Sequence, residues 1–145
     1  MKKDFLLSII IPVYNEEANI SPLLEKLLPI VKQYDYEVLF VNDGSTDSTT
    51  KEILKHTKNT SVKYVEFNGN FGHQMALSCG YSMAKGDAVI SMDADLQDPP
   101  EIVDEMVNKW QEGSMIVYAQ REKRDVDSFI KRWYAKQFYN FINLL

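Results

Sequence analysis

The sequence predicts an α/β domain, a mainly parallel sheet with helices on both faces. Three observations carry that prediction. Short runs rich in isoleucine and valine alternate along the chain with segments of helical periodicity. The first run is apolar on successive residues rather than alternate ones, which suits a strand covered on both faces. The polar clusters PVYNEE, VNDGSTD, DADLQD and AQREKR each follow an apolar run. Ligands of parallel sheets sit in that place, beyond the C-terminal strand ends.

The elements follow in order. Residues 6–11 form a first strand, interrupted only by Ser8. The opening MKKDFLLSIIIPVYNEE reads as this strand and not as a signal peptide. Asp4 breaks the junction, Pro12 ends the run, and no small-x-small cleavage site follows. Residues 17–31 place Ile20, Leu23, Leu24, Leu27 and Leu28 on one helical stripe. Asn19 is a second capping point there, because Pro22 is tolerated only in a first turn. Residues 37–41 form a second strand. NDGSTDSTT ends it and opens a helix toward His56, with Ser45 or Thr46 as the expected cap. A third strand spans 62–67 and a third helix 72–84, closed by Gly86. A fourth strand spans 88–92. Asp98, Pro99, Pro100 and Glu101 read as a helix start with a capping box, the helix running to about Trp110. A fifth strand is expected over 115–119.

The chain has 145 residues, 45% hydrophobic and 26% charged, enough for one domain with a core. Its net charge of -5 argues against a nucleic-acid binder. The charge is split. Residues 1–120 carry 10 of the 16 basic groups and 18 of the 21 acidic ones, whereas the last 25 residues are net basic. Cys79 is alone, which excludes an internal disulfide and suits a reducing compartment. Its place in a helical pattern makes it a buried small residue rather than a nucleophile. No window reaches the ~18 apolar residues of a membrane span.

The tail divides from the core. Residues 1–125 read as a ligand-binding core, and 126–145 as the start of an amphipathic aromatic helix, cut short. Ile130, Tyr134, Phe138, Phe141 and Leu145 share a face there, widened by Phe129 and Trp133 and flanked by Lys131, Arg132 and Lys136. Two readings stand side by side, a helix packed on the domain and a helix lying in a membrane interface.

Four constellations could carry chemistry. In SMDADLQDPP, Asp93 and Asp95 are two apart and can turn toward one ion, with Gln97 offering a neutral oxygen nearby. Hard cations such as Mg²⁺ and Mn²⁺ take carboxylates together with substrate phosphates. Asp98 is better explained as a helix cap. In NDGSTD, turn-and-cap chemistry accounts for Gly44, Ser45 and Thr46 but leaves Asp43 free to accept two donors. His73 lies near a helix N-terminus beside Asn70, either structural or pointing into a site. Arg121, Lys123 and Arg124 follow the last expected strand; guanidinium groups there could clamp phosphate, or the loop is simply charged and exposed. The spacing matches neither a dinucleotide fingerprint nor a P-loop, and Gln97 stands where an aspartyl-phosphate phosphatase needs a hydroxyl residue.

SIIIPVYNEEANI, VLFVNDGSTDST, NFGHQMALSCGYSMAKGDAVISMDADLQDPPEI and WQEGSMIVYAQREKR together resemble the inverting GT-A glycosyltransferases of family 2. The likeness is greatest to the branch that loads polyprenyl phosphates, of the dolichyl-phosphate mannose synthase and bacterial undecaprenyl-phosphate sugar transferase kind. It runs from about residue 6 to 145 with the motifs in order. The resemblance implies a Rossmann-like nucleotide-diphospho-sugar transferase fold, present here in its N-terminal portion. It implies that Pro12, Tyr14 and Glu16 line the nucleotide pocket, that Asp43 binds the base or ribose side, and that Asp93 meets the ribose or diphosphate. It also implies that Asp95 and Gln97 hold Mg²⁺ or Mn²⁺ against the diphosphate. Arg121 would face donor or acceptor phosphate, and Arg132 is a looser candidate for the acceptor. Ala119 departs from the family, which often has glycine there.

The implied reaction moves a sugar from a nucleoside diphosphate sugar to a lipid phosphate, at the cytoplasmic face of a membrane reached through residues 126–145 and further segments. Self-association through the aromatic tail is a further expectation. Two other readings remain open at this point: transfer to a soluble or glycan hydroxyl acceptor, and a nucleotide-binding or partner-binding module without turnover.

Overall fold

A computed structural model describes residues 3–120. Its order is β1 (Lys3–Val13), α1 (Ile20–Val31), β2 (Tyr34–Asn42), α2 (Thr49–His56), β3 (Val62–Glu66), α3 (His73–Met83), β4 (Ala88–Ser91) and α4 (Ile102–Gln111). The four strands form one sheet in the order β3-β2-β1-β4, and every pairing is parallel. The chain grows outward from β1 to β3 and then crosses back to place β4 on the other side of β1. The strand order therefore reverses between β1 and β4.

The continuous apolar run of β1 is explained by burial on both faces. Leu7, Ile9, Ile11 and Val13 enter the larger core with Val38 and Phe40 of β2, and meet α1 through Ile20, Leu23, Leu24, Leu27 and Val31. Ile53 of α2 and Val103 and Val107 of α4 complete that layer. The alternate residue Ile10 faces the other way, with Leu39, Val41 and Ala76 of α3. Among the described residues, three helices thus cover one face and α3 alone covers the other. Only Ala76 and Gly80 of α3 are buried. A Cβ on Gly80 would come within 2.3 Å of Ile10 Cγ2, so glycine is what lets the helix approach the strand.

The structure moves several expected boundaries. α1 begins after Asn19, as Pro22 requires. α2 begins at Thr49 rather than beside Ser45 or Thr46, because those two residues are engaged elsewhere in the site described below. α4 starts at Ile102 with Glu101 at its N-cap position, later than the start predicted at Asp98. Pro100 disfavours helical geometry in the residue before it, and the amides of Ile102 and Val103 close tight turns onto Pro99 and Pro100 before α4 starts. α4 is instead tied to the sheet by Tyr34 Oη, which donates to Asp104 Oδ1 at 2.7 Å, and by Phe5 packed on Trp110.

Gly86 is not a helix cap, since α3 ends at Met83 with Ala84 following. It is glycine because a Cβ would lie 2.7 Å from the Ser8 amide nitrogen and the Ala88 carbonyl oxygen. Cys79 is half-buried rather than buried. Residues 115–119 do not form the expected fifth strand. The apolar run supplies strand propensity, but a strand exists only where a neighbour completes its hydrogen bonds. The segment flanks β4 without a ladder, and Met115 and Ile116 are 95% and 85% exposed. No helix among the described residues is long and apolar enough to cross a membrane. The expected tail helix over 126–145 lies outside the described residues.

One charge is built into the sheet. Glu37 of β2 is buried opposite Ser8 of β1. Its carboxylate accepts from Ser8 Oγ at 2.6 Å, from Lys63 Nζ and from the Lys85 amide at 2.8 Å. Ser8 Oγ in turn accepts from the Gly86 amide at 2.9 Å, so the cluster fastens the segment between α3 and β4 to the middle of the sheet. Burial alone would raise the Glu37 pKa. The hydrogen bonds from Lys63, Ser8 and the Lys85 amide outweigh it and hold the group below its ordinary 4.5. Its stabilising contribution is therefore complete above about pH 4.5 and is lost as pH falls through the lower folded value. Glu37→Gln is expected to cost about 1.5 kcal/mol near neutrality. In thermal melts the gap between wild type and variant should stay constant above pH 5 and close in more acidic buffer. A gap that widens there would contradict the assignment.

Candidate active site

A cleft of about 370 Å³ opens beyond the C-terminal ends of β1, β2 and β4, at the reversal of strand order. Pro12, Val13, Tyr14 and Glu16 line it from β1 and its loop, and Asp43 from the end of β2. Asn70, Gly72, His73 and Ala76 come from the loop before α3 and its first turn, and Asp93, Ala94 and Asp95 from the end of β4. Six residues singled out in the sequence for donor or metal contact, namely Pro12, Tyr14, Glu16, Asp43, Asp93 and Asp95, therefore meet in one place.

Two loops form the floor, and they lock each other. The Asn15 amide donates to Ser45 Oγ at 2.9 Å, and the Thr46 amide returns a bond to Asn15 Oδ1 at 2.8 Å. The Glu16 amide donates to Thr49 Oγ1 at 2.8 Å. The Glu17 amide donates to Asp47 Oδ2 at 3.2 Å, while Glu17 Oε2 accepts from the Ser48 amide at 2.8 Å. Asn15 sits at φ 55, a conformation asparagine tolerates better than most residues. Asn42, fully buried, braces the second loop from within, its Oδ1 accepting from Ser45 N at 3.0 Å and Oγ at 2.6 Å. For Asp47, the upward push of burial is outweighed by the combined bonds from Thr49 and from the Glu17 amide, so its pKa lies below its ordinary value. Much of NDGSTD is thus a fastening between loops rather than a helix cap.

The β4 wall carries the acidic pair. Met92 and Ala94 are buried while Asp93, Asp95 and Gln97 are exposed, so an alternation of burial continues past the end of β4 at Ser91 and carries both aspartates to the solvent side. Asp95 Oδ1 accepts from the Gln97 amide at 3.0 Å. Leu96 between them has φ 59, a costly left-handed conformation for a leucine. Gln97 is exposed and does not line the cleft, and its backbone amide is bonded to Asp95. Across the cleft, His73 Nε2 lies 3.9 Å from Asp93 Oδ1. Arg121, Lys123, Arg124 and Arg132 lie outside the described residues.

Among the described residues no group of three or more histidine, cysteine or carboxylate side chains could hold a metal ion. The acidic pair fits a different kind of site, in which one or two carboxylates bind Mg²⁺ or Mn²⁺ jointly with the phosphates of a ligand. Asp95 faces the cleft with hard oxygen donors suited to such an ion.

Asp43 holds what the sequence does not reveal. It is only 3% exposed, its Oδ1 accepts from the Phe71 amide at 2.7 Å, and its Oδ2 accepts from the Gly72 amide at 2.8 Å. Gly44 at φ 69 allows a second contact. A Cβ there would fall 2.5 Å from the Gly69 carbonyl carbon. Only the NFG segment preceding a helix hinted that a carboxylate might be needed by the loop.

Comparison with known proteins agrees with this fold. Residues 8–144 match the family described as Glycosyl transferase family 2. The chain is 47% identical over 139 residues to an uncharacterized glycosyltransferase of Synechocystis, covering 94% of this chain and 44% of that protein. It is 39% identical over 140 residues to the bactoprenol glucosyl transferase of Shigella phage SfV, covering 94% and 46%. The chain therefore spans less than half the length of these relatives. Among solved structures it is similar to glucosyl-3-phosphoglycerate synthase of Mycobacterium tuberculosis in complex with Mn²⁺, UDP-glucose and phosphoglyceric acid. The TM-score is 0.63 at 25% identity, over 77% of this chain and 41% of that one.

Proposed function

The chain belongs to glycosyl transferase family 2, and from that premise we propose that it forms the donor-binding part of an enzyme that moves a sugar from a nucleoside diphosphate sugar to a polyprenyl phosphate. The observation that carries this reading is the convergence of Asp43, Asp93 and Asp95 on one cleft at the strand-order reversal. The similarity to a bactoprenol glucosyl transferase supports the lipid-phosphate acceptor. The solved relative bound to Mn²⁺ and UDP-glucose supports a divalent ion and a nucleotide-sugar donor.

In this reading the floor built from residues 12–16 and Asp43 receives the nucleoside, and the β4 wall faces the diphosphate. Asp95 and Gln97 are the proposed metal ligands. A Mg²⁺ or Mn²⁺ ion there would offset the charge that builds on the departing diphosphate. An oxygen of the acceptor phosphate attacks the anomeric carbon from the opposite side. The bond to the diphosphate breaks, and its electron pair leaves with the nucleoside diphosphate. The acceptor is already anionic near neutral pH, so no side chain is assigned as general base. Arg121 is proposed to meet donor or acceptor phosphate. Residues 126–145 are proposed to reach the cytoplasmic face of the membrane, with self-association through the same aromatic face.

The test is product formation from a panel of nucleotide sugars with polyprenyl phosphate in vesicles, and in parallel with phosphoglyceric acid. Transfer to the lipid alone supports the proposal. Transfer only to the soluble acceptor would replace it with the second reading, which the phosphoglyceric acid complex of the solved relative favours.

A further inference from the structure

We infer that Asp43 is a positioning residue of the donor cleft, acting through the loop 69–72 that presents Asn70 and His73. The inference rests on the nucleotide-sugar reading above and adds a role that a direct contact to the nucleoside does not require. Asp43 is buried, and each of its two oxygens already accepts a backbone amide, from Phe71 and from Gly72. Those donors lie 28 and 29 residues away in sequence, in a loop whose Phe71 side chain is 60% exposed. An exposed loop has little apolar burial of its own to hold it. A carboxylate receiving two amides is a strong tether, because bonds to a charged acceptor exceed those between neutral groups.

A second contact acts on the same loop from the neighbouring residue. Gly44 packs its backbone on Gly69 so closely that no side chain fits between them. Asp43 and Gly44 together set the height and the direction of the loop over the end of β2. The loop ends at His73, whose Nε2 stands 3.9 Å from Asp93 Oδ1 on the opposite wall. The width of the cleft between the α3 wall and the β4 wall thus depends on a bond made on neither wall. An asparagine at 43 cannot replace the aspartate. Its one oxygen can accept from one amide, while its NH₂ would confront the other, donor against donor.

The experiment uses the full chain and reads two quantities. Amide hydrogen exchange at Phe71 and Gly72 is measured without ligand, and affinity is measured by calorimetry with UDP and Mn²⁺ and with GDP and Mn²⁺. In wild type both amides should be protected. Asp43→Asn should speed their exchange about tenfold or more, leave the amides of β1 and β2 protected, and weaken nucleotide binding. Gly44→Ala keeps the carboxylate and displaces the loop, and should weaken binding as well. Lys51→Ala, at an exposed position of α2 outside the cleft lining, is the control and should bind normally.

Unchanged protection in Asp43→Asn overturns the tether. Normal affinity in a folded Gly44→Ala overturns the action through the loop. Should that variant not fold, His73→Ala takes its place, and wild-type affinity there has the same consequence. A merely structural aspartate would lower Tm and leave the affinity of the folded protein unchanged, which also counts against the inference. Failure of wild type to bind either nucleotide would sink the donor reading instead, while the exchange measurement still decides the tether.

Discussion

Replacing Asp95 with asparagine is expected to lower metal-dependent sugar transfer about a hundredfold. Removing one preorganised group that meets developing charge commonly costs a factor of that size or more. The substitution keeps the shape of the side chain and its acceptor for the Gln97 amide, so the fold should be untouched. What disappears is the negative charge facing the cleft, and with it the attraction for a hard cation. The measurement is turnover across a Mn²⁺ titration, with a thermal melt as the check on folding. A variant that keeps undiminished Mn²⁺-dependent turnover would remove Asp95 from the metal site. Asp93 offers an internal comparison. Its carboxylate faces His73 at 3.9 Å, so Asp93→Asn should raise the donor KM more than it shifts the Mn²⁺ requirement.

Gly80→Val should destabilise the protein by about 3 kcal/mol, the upper part of the range for overpacking a filled interior. For a chain of this size that corresponds to a fall in Tm of about 6–12 °C. Helix propensity alone predicts a gain of a few tenths of a kcal/mol to ~1 kcal/mol when glycine leaves a helix interior. Sterics decide the sign, because the new Cβ would lie 2.3 Å from Ile10 Cγ2 and Ile10 is fully buried. Ala76 and Gly80 are the buried residues of α3, with Leu77 and Cys79 partly buried against the same cluster, so the helix must lift along its length. Thermal unfolding of Gly80→Val, alone and with Ile10→Ala, checks the cause. The pair should be less harmful than the sum of its parts if the clash is with Ile10. A Tm equal to or above wild type would mean that α3 is not held by this contact.

The layered fold was readable because its signals are local. Ile9, Ile10 and Ile11 in succession can only suit a strand covered twice, and the stripe from Ile20 to Leu27 can only suit a helix with one buried face. The failures came where a local signal needed a distant partner. The apolar run at 115–119 found no ladder. Ser45 and Thr46 have cap chemistry but spend it on Asn42 and Asn15. Gly86 looked like a helix terminator and is a contact with Ser8. The same division applies to the cleft. Asp93 and Asp95 announce themselves by following a short apolar run. The amide partners of Asp43 and the seat of Gly80 on Ile10 join residues far apart in the chain, and no spacing rule reaches that far.

The crossing from β3 back to β4 has a consequence for a chain emerging from the ribosome. β1, β2 and β3 are adjacent in both sequence and space, so they can pair as soon as residue 66 is free. The interlocked loops at 15–17 and 45–49 are then already complete. The wall bearing Asp93 and Asp95 does not yet exist. It arrives only when β4 adds to the vacant side of β1, and parallel pairing across a long crossover is slow. During synthesis the protein should pass through a stage that has a floor for a nucleoside and nothing to grip a cation. Under the proposed function, nucleotide binding and metal binding would be acquired in that order, at separate chain lengths.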